Sequence, residues 1–312
     1  RVISERVHLT PVIGSETVAR RTGAATFHLK CESLQKTGSF KVRGALNAIA
    51  QLDVTARERG VVTFSAGNHA QAVAWAASAA GVRSTVVMPE TASASKAAAS
   101  AGYGATVIRH GDGAAAFDRA MAIAVDQGAA FVHPFDQLPI MAGTATVGLE
   151  ILDQAPGTDV IVVPVGGGGL LAGIAAAVRR LAPNIRIFGV EPEGAAAMRR
   201  SLDAGHPVRL DRVDTIADGL AAPFAGNLTF PVIRDLVDDV VLVRDDEIAA
   251  AVALLSRTKL LAEPAGAAAT AAVIAGRIPD LAGRHVLAVL SGGNVDLDRL
   301  AGLIVGPGVT GS

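Results

Sequence analysis

Two short stretches hold residue types that can do chemistry. In "LQKTGSFKVRGA", residues 34 to 45, Lys36 and Lys41 stand five apart around a Thr-Gly-Ser turn, with Phe40 directly before Lys41. A lysine amine in so tight a setting can form a Schiff base with an aldehyde and, once free, act as a base, provided that it is neutral when it acts. In "VPVGGGGLLAG" the four glycines Gly166, Gly167, Gly168 and Gly169 follow a candidate strand and open a helix at Leu170. Such a run lets successive backbone N–H groups turn toward one phosphate at a helix N-terminus. Gly167, Gly169 and Ala172 also fit the dinucleotide pattern, and Glu191 follows at about the spacing of a ribose-binding acid, so an NAD-dependent dehydrogenase stands as a rival. A bare tight turn is the plain alternative to both, although four glycines cost more backbone entropy than a turn requires.

The elements that position these residues follow from the hydrophobic pattern. Runs rich in β-branched residues, "GVVTF", "STVVMP", "ATVIRH", "DVIVVPV", "RIFGVE", "DDVVLV" and "HVLAVL", alternate with alanine-rich stretches of helical period. This predicts an α/β fold with mostly parallel sheets covered by helices. Three strands run into small polar loops, "SAGNH", "GGGGL" and "SGGN", which would share the carboxyl edge where ligands bind.

The bulk properties narrow the partners. A formal charge of −1 gives no electrostatic reason to expect nucleic acid or an anionic membrane, and no apolar run reaches the roughly 20 residues of a membrane span. The first residues lack the apolar core of a signal peptide, so a cytoplasmic address and a small neutral or zwitterionic ligand are expected. The single cysteine, Cys31, falls in a strand-like stretch and reads as a buried inert thiol. The histidines show no zinc spacing, and no metal is expected.

A phosphate loop and a Schiff-base lysine meet in one ligand, pyridoxal 5'-phosphate, which joins an aldehyde, a phosphate and a pyridine nitrogen. With "SAGNHAQAVA", "HPFD", "GVEPE", "IADGLA", "DLVDDVVLV", "EPAGA" and "SGGN" following in order, the chain resembles the serine/threonine dehydratases, pyridoxal-phosphate enzymes of the tryptophan synthase β-chain fold (fold type II). The resemblance ends about where the chain ends and is to the short, catabolic threonine dehydratase type. It implies a large domain from residues 1–48 and 140–312, a small inserted domain from 49–139, a cleft site between them, and a homodimer or higher homo-oligomer. It further implies that Lys41 carries the cofactor and takes the Cα proton, Phe40 packs beside the ring, Asn68 meets the ring hydroxyl, Gly166 to Leu170 hold the phosphate and Ser291 faces the pyridine nitrogen. Ser65, Ala66, Gly67, Asn68 and His69 would receive the substrate carboxylate, with the Ser65 hydroxyl taking part. The expected reaction is dehydration and deamination of a 3-hydroxy amino acid, L-threonine or L-serine, to a 2-keto acid and ammonia.

Departures from the family pattern bear on the alternatives, a serine racemase or a 3-hydroxyaspartate dehydratase. Racemases carry a second serine where this chain has Ala66, which has no exchangeable proton. The family's cation site would fall on Glu191, Ala195 and Ala197, leaving one carboxylate, so Glu191 reads equally as a solvated strand-end acid. Gly143-Thr144-Ala145-Thr146 replaces a Gly-Gln-Gly-Thr expected to begin a helix near the site. His69 and His133 read as structural, and Lys36 as a solvated lysine.

Overall fold

The computed structural model describes residues 2–305; residue 1 and residues 306–312, at the ends of the expected large domain, lie outside the described residues. Strands β1 (Val12–Gly14), β2 (Thr26–Cys31), β3 (Val61–Phe64), β4 (Ser84–Met88), β5 (Thr106–Arg109), β6 (Ala130–Phe131), β7 (Val160–Pro164), β8 (Arg186–Pro192), β9 (Asp239–Val243) and β10 (His285–Leu290) form two sheets. The larger runs β1-β2-β10-β7-β8-β9 and the smaller β5-β4-β3-β6. All pairs are parallel except β1 with β2. The fold is the α/β fold expected of a fold-type II pyridoxal-phosphate enzyme.

Parallel strands are covered on both faces, and their side chains show it: every residue of β7 is buried. The helix Pro264–Ile274 lies behind the large sheet with ten of its residues buried, six of them alanine. Small side chains let its backbone approach the strands closely. Sequence punctuation set the helix ends where expected. Asp112 caps Gly113–Gln127 by accepting the N–H of Ala115, and Gly128 ends it in the left-handed conformation at φ 61°.

Two short strands escaped the sequence pattern. β1 has three residues and β6 two, too few for a period to register, and each forms only by pairing with a neighbour already in place. The three polar loops differ from expectation in one respect. Those after β7 and β10 leave adjacent strands of the large sheet, whereas the loop after β3 leaves the small sheet, so two sheet edges rather than one meet at the crevice. Among the described residues no helix is long and apolar enough to cross a membrane.

Candidate active site

Lys41 is placed by contact between the two ends of the chain. Ser39 and Gly292 form an antiparallel backbone bridge; the Phe40 N–H donates to the Ser291 carbonyl at 3.1 Å, and the Gly293 N–H to the Gly38 carbonyl at 2.9 Å. The approach needs the Thr-Gly-Ser turn: Gly38 sits at φ 71°, and a Cβ there would stand 2.2 Å from the Asn294 side chain. Helix Lys41–Ala50 begins directly after the bridge. The Lys41 amine donates to the Pro134 carbonyl at 2.8 Å and lies 5.2 Å from the Phe40 ring centroid. Burial lowers its pKa to about 8, with Glu263 pulling the other way. About a tenth of the amine is therefore neutral at pH 7, and most of it above pH 8.

The glycine run leaves β7 and opens helix Gly169–Leu181. Among the described residues, the backbone N–H groups of Gly166, Gly167, Gly168, Gly169 and Leu170 have no protein acceptor, whereas the preceding Val165 N–H donates to Val190. Five consecutive unpaired donors at a helix N-terminus fit a phosphate. The missing side chains have a second cause: a Cβ on Gly167 would meet the Phe135 ring at 2.4 Å, and one on Gly169 the Phe135 carbonyl at 2.9 Å. Packing therefore demands glycine here whatever is bound, and the fit to phosphate rests on the free N–H groups. The Ser291 hydroxyl, in a residue only 4% exposed, also has no protein partner among the described residues, as a hydroxyl reserved for a ligand atom would. The residues present thus fit pyridoxal phosphate.

Asn68 begins helix Asn68–Ala79 and lies between two side chains that the motifs contained without roles. It donates to Glu263 at 2.5 Å and accepts from Asn294 at 2.8 Å, and Asn294 in turn donates to the Thr37 carbonyl at 2.7 Å. Glu263, whose pKa burial raises to about 7, and Asn294 thereby join the loop of the small sheet to the ends of the large one. Only the ordered presence of "EPAGA" and "SGGN" hinted at them. In the Ser65–His69 loop the Ser65 hydroxyl accepts the Gly67 N–H at 3.1 Å, while the N–H groups of Ala66, Asn68 and His69 are unpaired among the described residues.

Both histidine rings bond to backbone groups. His69 is buried with Nε2 3.1 Å from the Val132 carbonyl, and burial drives its pKa down to about 3. His133, lowered to about 4, accepts the Phe135 and Asp136 N–H groups through Nδ1. Cys31 is fully buried, its thiol pushed up to about 12. Three expectations need correction. Lys36 is partly buried, with its amine 5.1 Å from the Trp75 ring centroid, a cation–π contact rather than a solvated position. Gly143 to Thr146 lie inside helix Leu138–Gln154 rather than at its start, and Thr144 donates to the Gly169 carbonyl at 2.8 Å.

Glu191 is the third. It is fully buried, not solvated, and its two oxygens accept the Met198 and Arg199 N–H groups at 2.8 Å each, capping helix Ala197–Ala204. That commitment removes it as a ribose-binding acid, and with it the dinucleotide reading. Burial raises its pKa from 4.5 to about 8 against the pull of those bonds. The folded chain then holds this proton more tightly than the unfolded one. Stability is expected to decline from pH 4.5 to about 8 and level above, with a shallower decline in Glu191→Gln in thermal unfolding across that range. An identical slope in the variant would refute the assignment.

Residues 3–292 match the family described as "Pyridoxal-phosphate dependent enzyme". The chain is 48% identical over 304 residues to an L-threonine ammonia-lyase of Geobacter sulfurreducens, covering 96% of this chain and 74% of that one. It is 44% identical over 300 residues to a phenylserine dehydratase of Ralstonia pickettii, covering 96% and 92%. Among solved structures it resembles maize serine racemase, with a TM-score of 0.92 at 40% identity over 96% of this chain and 92% of that one.

Proposed function

We propose, from the premise that this chain belongs to the pyridoxal-phosphate dependent enzymes, that it is an ammonia-lyase dehydrating L-threonine or L-serine to the 2-keto acid and ammonia. The observation that carries this reading is the pairing of five unpaired N–H groups, Gly166 to Leu170, with a lysine amine of pKa about 8. The two lie close, because Lys41 bonds to Pro134 and the next residue, Phe135, packs on Gly167.

When bound, the cofactor supplies an aldehyde for the substrate amine and a ring that withdraws electrons from Cα. In this reading the residues of the chain do the rest. Lys41 anchors the cofactor and, as a neutral amine, takes the Cα proton. The glycine run holds the phosphate, Phe40 packs beside the ring, and Asn68 offers its second amide N–H to the ring hydroxyl. Ser291 meets the pyridine nitrogen with a neutral hydroxyl rather than a carboxylate, a weaker electron sink that favours loss of the β-hydroxyl over transamination. The free N–H groups of Ala66, Asn68 and His69, with Ser65 and Gly67 shaping the loop, bind the substrate carboxylate at a helix N-terminus. Ala66 offers no proton to the second face of Cα, which favours elimination over racemisation.

The separate four-stranded sheet supports residues 49–139 as a small inserted domain on a large one of 1–48 and 140–312. The partner is a small amino acid; a homodimer or larger homo-oligomer in the cytoplasm completes the reading. Purified protein should be yellow, borohydride should fix the cofactor to the peptide containing Lys41, and L-threonine or L-serine should release keto acid. A colourless protein that gains fluorescence with NADH would sink the assignment. Accumulation of D-serine from L-serine would overturn the reading of Ala66.

A further inference from the structure

The geometry points to Phe135 and Phe224 as the wall that receives the substituent on the substrate's β-carbon, and hence to 3-aryl-3-hydroxy amino acids as substrates. This inference rests on the dehydratase reading above.

Only 4% of the chain is aromatic, yet five of its nine phenylalanines stand with His133 in one row of ring contacts. The row starts in the small sheet at Phe64 and passes through Phe117, Phe131 and His133 to Phe135 and Phe224. Phe135 lies at the site, and Phe224 packs against it. Phe135 follows the residue whose carbonyl takes the Lys41 amine, and its ring covers Gly167. Phe224 is partly exposed, with its centroid 5.5 Å from that of Phe135 at 55°. Asp136 accepts the N–H groups of Asn227, Leu228 and Thr229 at 2.9, 2.8 and 3.2 Å, which ties the Phe224 loop to the Phe135 segment.

In the dehydratase reading Lys41 serves Cα and the glycine run holds the phosphate, and Phe135 stands between the two, next to the Pro134 carbonyl that takes the Lys41 amine and with its ring over Gly167. A substituent on Cβ would then lie against Phe135. Ala221, Ala222 and Pro223, all partly exposed, keep the adjoining surface small and apolar. The exposed Arg209 has its guanidinium 5.2 Å from the Phe224 centroid, a cation–π contact at the outer edge of this wall. An aryl group would extend the row by one more tilted or edge-to-face pair, which an aliphatic group cannot do.

With 3-phenylserine the Cα–H and Cβ–O bonds break and water leaves. Hydrolysis of the resulting enamine returns a water, so the net products are phenylpyruvate and ammonia and no oxidant is needed.

Holoenzyme is to be assayed for keto acid from L-threo-3-phenylserine, L-threonine and L-serine. It is also to be titrated calorimetrically with L-phenylalanine and L-alanine, which lack a leaving group and report binding alone. Phenylserine should exceed L-serine in kcat/KM, and phenylalanine should exceed alanine in affinity, each by about tenfold or more. In Phe224→Ala both ratios should fall by about tenfold, with the melting curve establishing that the variant is folded. Turnover of L-threonine without phenylserine, or an equal loss toward all three substrates in the variant, would overturn the proposal while leaving the dehydratase reading intact. Inertness of the wild type toward all three overturns that reading first, and the proposal with it.

Discussion

Lys41→Ala is expected to lower turnover of L-threonine by about 10²- to 10⁴-fold, the range for removing a positioned acid–base group, or by more because the cofactor loses its anchor. Folding should be unaffected. The side chain makes one hydrogen bond, to the Pro134 carbonyl, and the Phe40–Ser291 and Gly293–Gly38 backbone bonds that shape the turn remain. The same residue predicts a pH dependence with a definite sign. A lysine with its pKa lowered to about 8 is charged below that pH and neutral above it. Attachment of pyridoxal phosphate to the apo-protein should therefore speed up as pH is raised through about 8 and then level off, followed by absorbance after mixing. Wild-type turnover in the variant, or attachment that is flat between pH 6 and 10, would be incompatible with this role.

Arg43→Met is expected to give the largest loss of stability of any single change considered, about 3–5 kcal/mol, because it strands the buried Glu32 carboxylate and takes from the partly exposed Glu150 one of its two cations. Arg43 is fully buried two residues beyond Lys41. It donates to both oxygens of Glu32 at 2.7 and 2.8 Å and to both of Glu150 at 2.6 and 2.8 Å. Lys30, equally buried, bonds to Glu150, Gln154 and the Thr10 carbonyl, and the Thr10 hydroxyl donates to Glu32. Two cations and two anions thus neutralise one another where β2, helix Lys41–Ala50 and helix Leu138–Gln154 converge. Methionine fills much of the volume but leaves Glu32 facing Thr10 alone. The loss should appear as a lower urea midpoint at unchanged slope. A change below about 1 kcal/mol would mean that the carboxylates find water or protons at little cost. Arg43→Lys should fall between, since a single ammonium cannot serve two carboxylates in paired fashion.

Local chemistry was legible in the sequence where one short segment contains the whole device. The glycine run announces both its turn and its donors, and Lys41 is marked by the turn before it. What was not legible depends on residues far apart in the chain. Glu263 and Asn294 matter because they meet Asn68, and nothing near them in sequence says so. Glu191 stands near the end of β8 and precedes a proline, the usual setting of an exposed strand-end acid; helix Ala197–Ala204, whose first N–H groups it accepts, comes later in the chain. Lys36 looked free because Trp75 is remote in sequence. The same limit applies to the aromatic row, whose members span Phe64 to Phe224 without periodicity.

The bridge between Ser39 and Gly292 joins positions more than two hundred residues apart, and β10 must seat between β2 and β7 before it can close. During synthesis the lysine therefore emerges from the ribosome long before its surroundings exist. Its amine is then an ordinary, solvated and protonated one, poorly reactive toward aldehydes. Reactivity arrives with the last strand. Capture of the cofactor can thus report the arrival of β10, and a product truncated before that strand would leave the aldehyde in solution.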